Sequence, residues 1–414
     1  MVPTAGARES PASSESPHES PRREGIALCL SGGGFRAALF HLGAIRRLNQ
    51  LGILGQLATI SRVSGGSILS AFLADRMVAL KRPKLQFDDF EEDVAAPFRR
   101  FTSRDIRTIP LLLHLPWNWA FPSFRARHLG RSYRRHLTAL QLGQLPDAPV
   151  FSFCATDMVF GVNWEFRRER SGSWQAGYTT DTASWPVAIA VAASSCFPPM
   201  FGPLRVRVPP GSFKEGGYRG SDRDRLRSQL ALTDGGLYDN AGLEPVWKSH
   251  QTVLTSDGGA PFVFGVGAAP WRRIMRYIGL VMLQAVSLRR RMFQTGLHEG
   301  AYSGTAWSIT QGTTAADAAI CPGYSDDVVD GAIARIRTDL DRFTDAEQRI
   351  LENHGYSRAS AQLAAKVPHL LPHNPEPAVV PHPKLMDDDL VRRLLRGSAG
   401  RLNLRRFFHL ESRA

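Results

Sequence analysis

An α/β fold with a central, mostly parallel sheet is what this sequence predicts, and three observations carry the prediction. Short apolar runs stop at glycine turns and lead straight into helix-like patterns, as at Ile26–Leu30 before "SGGGFR" and Leu57–Val63 before "SGGS". Two further runs, Val150–Ala155 and Leu230–Thr233, end in the same way. Finally, 414 residues with 43% hydrophobic content can bury a large core within one domain.

The elements follow in order. Residues 1–24 are rich in Ser, Pro and Glu with no apolar stretch, so they read as a disordered leader and not as a secretory signal. After the first apolar run, Leu39, Leu42, Ile45 and Leu48 recur at threes, which predicts a helix with one apolar face. Ser61–Met77 repeats the strand–turn–helix plan around Ser64. Ile109–Pro122, apolar with two Trp and three Pro, reads either as core under a loop or as a lid or membrane-facing rim. Ile274–Leu288 falls short of a membrane span because Arg276 and Gln284 interrupt it, and it reads as a buried or interfacial helix.

Thr344 with Glu347 forms a capping box, and Gly355 reads as a C-terminal stop, giving a helix over Asp345–His354. Beyond Lys366 a proline-rich linker should be extended and unpacked. The last stretch, Leu390–Leu410, mixes six arginines with leucines and two phenylalanines, the pattern of a basic amphipathic tail or of a docked helix. Gly397 and Gly400 argue against one continuous helix there.

Charge and cysteine usage narrow the function classes. The net charge of +13 favours acidic partners, nucleic acid or an anionic membrane surface. No helix–turn–helix, zinc-finger or aromatic RNA motif supports nucleic acid. Cys29, Cys154, Cys196 and Cys321 lie far apart, which argues against a disulfide framework or a zinc site and suits a reducing compartment.

A strand that ends in glycines and turns into a helix aims backbone N–H groups at an anion. Gly32-Gly33-Gly34-Phe35-Arg36-Ala37 satisfies the dinucleotide fingerprint, but no Asp or Glu occurs between Gly25 and Ala74 to hold a ribose, leaving only a variant that uses Arg46 or Arg47. No Gly-Lys-Ser/Thr follows, so a P-loop is weaker still. An oxyanion hole is the third option, and it needs a nucleophile. Ser64 enters a tight turn with Gly65 and Gly66 behind it, the setting of a nucleophile elbow, although Arg62 stands where G-x-S-x-G has its first glycine. A plain Ser-Gly-Gly turn gives the same pattern.

A serine needs a base. Asp234 ends an apolar run before Gly235 and Gly236, where a carboxylate would sit at a strand's carboxyl end. An ordinary Asp-Gly turn is the alternative. Asp239 and Asn240 do not have EF-hand spacing and read as turn-bonding residues. His41 lies on an apolar helix face and reads as a satisfied core histidine; no histidine is singled out as a base.

In this order the motifs resemble the patatin-like phospholipases. "SGGGFR", "VSGGS" and "DGGLYDNAG" match the family's oxyanion loop, nucleophile elbow and Asp-Gly element, and "ATDMVFGVNWEF", "SSCFPPMFGP" and "FTDAEQRILENHGY" look like bacterial members. The resemblance covers about Ile26–Lys366 and implies a three-layer α/β/α fold over a catalytic domain at 25–366, with linker and tail at 367–414. It implies a lipid acyl hydrolase of phospholipase A type working by a Ser–Asp dyad through an acyl-enzyme. Ser64 would be the nucleophile and Asp234 its base. Gly32, Gly33 and Gly34 would be the oxyanion donors, with Arg36 stabilising their loop, and Gly65, Gly66, Gly235 and Gly236 would support the turns. No cofactor or metal is implied. Phospholipid or another acyl lipid is the expected substrate, an anionic membrane surface the expected partner, and the cytoplasm, with peripheral membrane contact, the expected location; oligomeric state stays open. A thioesterase or acyltransferase on the same dyad, and a non-catalytic lipid-surface protein retaining the fold, are the alternatives.

Overall fold

The computed structural model describes residues 23–107, 123–198, 200–262 and 270–400. Among these residues ten strands form one sheet: β1 (Ile26–Leu30), β2 (Leu57–Val63), β3 (Val150–Asp157), β4 (Val162–Phe166), β5 (Ser171–Ser173), β6 (Gly177–Thr179), β7 (Leu204–Arg205), β8 (Ala231–Asp234), β9 (Thr252–Asp257) and β10 (Ser303–Ser308). Their order is β10-β9-β1-β2-β3-β4-β5-β6, with β8 pairing β3 and β7. The five strands from β10 to β3 are parallel; β4, β5, β6, β7 and β8 join antiparallel.

Alternation along β1 shows that both faces of the sheet are covered. Leu28 and Leu30 enter the large core with α1 (Gly34–Gln50), whereas Ala27 and Cys29 point into a second core with Leu243, Val246 and Phe293. Helices on both faces are what a parallel sheet requires, because crossovers place them there. The predicted strand runs are all present; β3 and β8 each extend to an aspartate at the carboxyl end.

Two helical expectations need correction. α1 was expected to bury one face, yet every residue but Arg46 and Gln50 is buried. The reason lies in α8 (Asp345–Lys366), where Gly355 is no terminator: the helix runs eleven residues past it. A β-carbon on Gly355 would stand 1.8 Å from the Phe40 carbonyl oxygen, and one on Gly43 would stand 1.8 Å from that of Glu352. The two glycines let α1 and α8 touch backbone to backbone, so a residue that reads as a stop is a contact point. The Thr344–Glu347 capping box forms as read.

The segment after Lys366 is packed, with single helical turns at Pro368–Leu370 and Pro383–Leu385 in an otherwise irregular path. Asn353 donates to the His382 carbonyl at 2.8 Å and accepts from its N–H at 2.8 Å, and Arg47 donates to the Glu376 carbonyl at 2.9 Å. α9 (Asp388–Leu394) follows, with Val391 and Leu395 buried, so this part of the basic stretch docks on the domain. Residues 401–414, which hold Phe407 and Phe408, and the Trp-bearing stretch Ile109–Pro122 lie outside the described residues. No described helix is long and apolar enough to cross a membrane.

Beneath α1, the Glu352 carboxylate is fully buried and bound by Arg46 at 2.6 Å, Arg99 of α3 (Ala96–Thr102) at 2.6 Å and His382 at 3.0 Å. Burial pushes this carboxyl up, but the His382 hydrogen bond and the two guanidinium charges outweigh it and hold it at about 2. Glu352→Ala would strand buried cations and is expected to cost ~3–5 kcal/mol. Because the folded-state value is depressed, the contribution is complete above the ordinary Glu range and is lost as pH falls toward about 2. Thermal melts of wild type and Glu352→Gln should therefore differ widely at neutral pH and converge as the solution becomes acid. A gap independent of pH would remove Glu352 as the cause.

Candidate active site

β3 acts as the ruler that assembles the site. β2 runs along it until Val63 pairs with Cys154; β8 arrives antiparallel on the same side, and Asp234 pairs with Ala155. The carboxyl ends of β2 and β8 therefore abut one residue apart. Ser64, next after Val63, meets Asp234 there, and its hydroxyl is among the groups that pull the carboxyl's value down.

Ser64 has φ 47° and ψ −110°, a conformation that costs a non-glycine residue roughly 1–3 kcal/mol. It opens α2 (Gly65–Ala79). The glycines behind it answer to a crossing backbone: a β-carbon on Gly65 would lie 2.3 Å from the Gly34 carbonyl oxygen, and one on Gly66 would lie 2.4 Å from that of Leu30. Gly235 and Gly236 are confined in the same way, by the Cys154 carbonyl at 2.6 Å and the Asn240 side chain at 2.7 Å. Arg62, the departure from G-x-S-x-G, points away into the core. Its guanidinium lies 3.6 Å from the Phe153 ring centroid and donates to the Ile60 carbonyl at 2.7 Å, so the turn forms without a glycine there.

Asp234 is 3% exposed. Burial pushes its carboxyl up to about 7, against the opposing pull of the Gly236 N–H at 2.8 Å and of the Ser64 hydroxyl. That value suits a general base at neutral pH. No histidine hydrogen-bonds either residue among the described ones. His41 is neutral, its value lowered by burial to about 4, with its ring nitrogens engaged by Ser256 at 2.7 Å and the Ser31 carbonyl at 3.0 Å.

The glycine loop faces this pair, and its three N–H groups are not equivalent. Gly32 donates to the Asn240 carbonyl at 3.2 Å, which removes it from the donor set expected for an anion. Gly33 (φ 143°) and Gly34 (φ 61°) precede the first N–H that bonds back along α1, that of Ala37 to the Gly33 carbonyl, and their own N–H groups have no partner among the described residues. Arg36 is buried and binds the carbonyls of Ala334, Ile336 and Gly258 at 3.2, 3.0 and 3.0 Å, tying the loop to its surroundings.

Ser194 escaped the sequence reading. It sits in α5 (Val187–Ser195), with α4 (Ser123–His136) packed alongside, and its hydroxyl accepts the Ser64 N–H at 2.9 Å and bonds the Ser67 hydroxyl at 2.8 Å. Its carbonyl accepts the Gly235 N–H at 3.3 Å, so one residue buttresses the serine turn and the aspartate turn together. The "SSCFPP" string marked the place but gave no role. Asp239, at the end of α6 (Gly236–Asp239), accepts from Ala241 at 3.1 Å and Glu244 at 2.7 Å, the turn-bonding expected of it.

The site thus places a serine on a strained strand–helix turn beside a buried carboxylate and faces it with unpaired amide donors, on a mostly parallel α/β sheet. The chain belongs to the patatin-like phospholipase family, whose model matches residues 28–247, more than half of its length. Solved structures similar to it include human GIVD cytosolic phospholipase A2, at 12% identity and a TM-score of 0.48, covering 91% of this chain and 60% of that one. VipD from Legionella pneumophila is similar at 14% identity and a TM-score of 0.34, covering 84% of this chain and 67% of that one. The chain thus spans about three fifths of the phospholipase A2 it matches. No curated protein sequence matches it.

Proposed function

We propose that the protein hydrolyses acyl esters of phospholipids or related lipids through a Ser64–Asp234 dyad. The observation that carries this reading is the placement of a conformationally strained Ser64 beside the buried Asp234, where two strand ends abut. Family membership supplies the substrate class. Ser64 Oγ attacks the ester carbonyl carbon while its proton passes to Asp234. The oxyanion is held by the N–H groups of Gly33 and Gly34, with Gly32 and Arg36 fixing their loop. Collapse expels the alcohol, which leaves with the proton from Asp234, and Ser64 carries the acyl group. Water then attacks that acyl-enzyme and gives its proton to Asp234; the fatty acid departs as Ser64 regains the proton. No step calls on a cofactor. All four cysteines are buried free thiols, which supports the cytoplasm as the working compartment.

A serine-directed fluorophosphonate tests the reading. It is expected to label the wild type on Ser64 and to leave Ser64→Ala unlabelled; no labelling of the wild type would favour a non-catalytic lipid-surface protein. The pH profile is a second check. Asp234 must be ionised to act as base, so turnover should fall as pH drops below about 7 and should stay level above it until another group titrates. A limb that disappears on replacing one histidine would assign it to that residue instead.

A further inference from the structure

The Ile274–Leu288 run belongs to α7 (Pro270–His298), a 29-residue helix about 44 Å long. From Arg276 to Met292 not one of its residues is buried, and Phe293, the next, is. Helices of soluble domains normally bury an apolar stripe, whereas over this span the residues are only partly covered or exposed. Tyr277, Leu280, Val281 and Leu288 are 63%, 39%, 68% and 59% exposed, and their spacing puts them on one face. The helix carries arginines at 272, 273, 276, 289, 290 and 291, toward both ends of that stripe, and no Asp or Glu at all.

Its carboxyl-terminal part is anchored beside the candidate site. Arg289 pairs with Glu244 at 2.6 Å and lies over the Tyr238 ring in α6, directly after Asp234. Arg290 pairs with Asp257, the last residue of β9, at 3.0 Å, and Phe293 stacks on Tyr302. The anchor therefore stands at the carboxyl edge of the parallel strands, the edge that holds Ser64 and Asp234.

We propose that the exposed face of α7 is a docking surface for an anionic lipid bilayer, which it holds against the carboxyl edge of the sheet. An apolar stripe flanked by exposed Arg273 and Arg291 is the pattern of a helix lying in a membrane interface, with its apolar side chains among headgroups and those cations on lipid phosphates. A second copy of this chain is disfavoured as occupant, since it would set arginine against arginine on proteins of net charge +13. The inference rests on the acyl-lipid reading of the site for its purpose, but its test does not depend on catalysis.

Sedimentation of the full chain with phosphatidylglycerol–phosphatidylcholine vesicles, and with phosphatidylcholine alone, decides the matter. The wild type should prefer the anionic vesicles and lose that preference at high salt. Combined Tyr277→Gln, Leu280→Gln, Val281→Gln and Leu288→Gln should weaken binding by about tenfold or more. Arg273→Gln with Arg291→Gln should remove much of the salt-sensitive part. Melting temperature and turnover of a soluble short-chain ester should be unchanged in both, because these side chains are exposed and outside the site. Vesicle binding that is unaffected by the apolar substitutions overturns the proposal, and its loss in Trp117→Ala with Trp119→Ala would place the contact there. A wild-type dimer that the apolar substitutions dissociate also overturns it, assigning the face to self-association. Absent ester turnover with binding still lost in the α7 variant would sink the catalytic reading alone.

Discussion

Ser64→Ala and Asp234→Asn are each expected to lower ester turnover by about 10⁴-fold or more, while circular dichroism and melting temperature stay near wild type. The two residues are expected to act as a unit, so the double variant should be little worse than either single one. Asn at 234 keeps the shape of the side chain and removes only the base. The Gly236 N–H at 2.8 Å can still donate to its amide oxygen, so the turn should survive. Ser67→Ala removes a hydroxyl bonded to Ser194 but no reacting atom, and Ser31→Ala one that accepts the Gly258 N–H at 2.8 Å. Both should retain substantial activity and lose on the order of 1 kcal/mol of stability. Wild-type turnover by Ser64→Ala, measured on purified protein with a chromogenic ester, would end the dyad assignment.

The next largest effect is expected at Gly34. Its φ of 61° is costly for any other residue, and a β-carbon would lie 2.6 Å from the Asp339 carbonyl oxygen. That oxygen accepts the Phe35 N–H at 2.9 Å, so the neighbour cannot give way without unpinning the loop. Gly34→Ala should therefore displace the two free N–H groups and cost ~10²–10³ in kcat, the usual toll for an oxyanion donor, with little change in KM. Gly211→Ala is the matched control: nothing lies within 4 Å of its β-carbon position, and it stands far along the chain from the loop. Equal rates for the two variants would show that the Gly33–Gly34 amides do not stabilise the transition state.

Much of this was written locally. The apolar runs that became β1, β2, β3 and β8 each end where a glycine, a strained serine or an aspartate ends them, and turn chemistry is a property of neighbouring residues. The Thr344–Glu347 box is likewise complete within four residues, and so it was legible. Membership of the family followed from the order of such local motifs.

What the tertiary structure decided was non-local. Gly355 and Gly43 are ordinary helix glycines until α1 and α8 meet, because only the partner's carbonyl makes a β-carbon impossible. The meeting of Ser64 with Asp234 depends on how far two strands run along β3, a register that neither strand encodes alone. The same holds for Gly32, whose N–H is consumed by Asn240 more than two hundred residues away, and for Ser194, whose hydroxyl reads as any serine until two turns close around it. The exposure of α7 is also such a fact. The sequence supplies its apolar and basic residues, but burial belongs to the surrounding chain, and over Arg276–Met292 the described residues bury none of them.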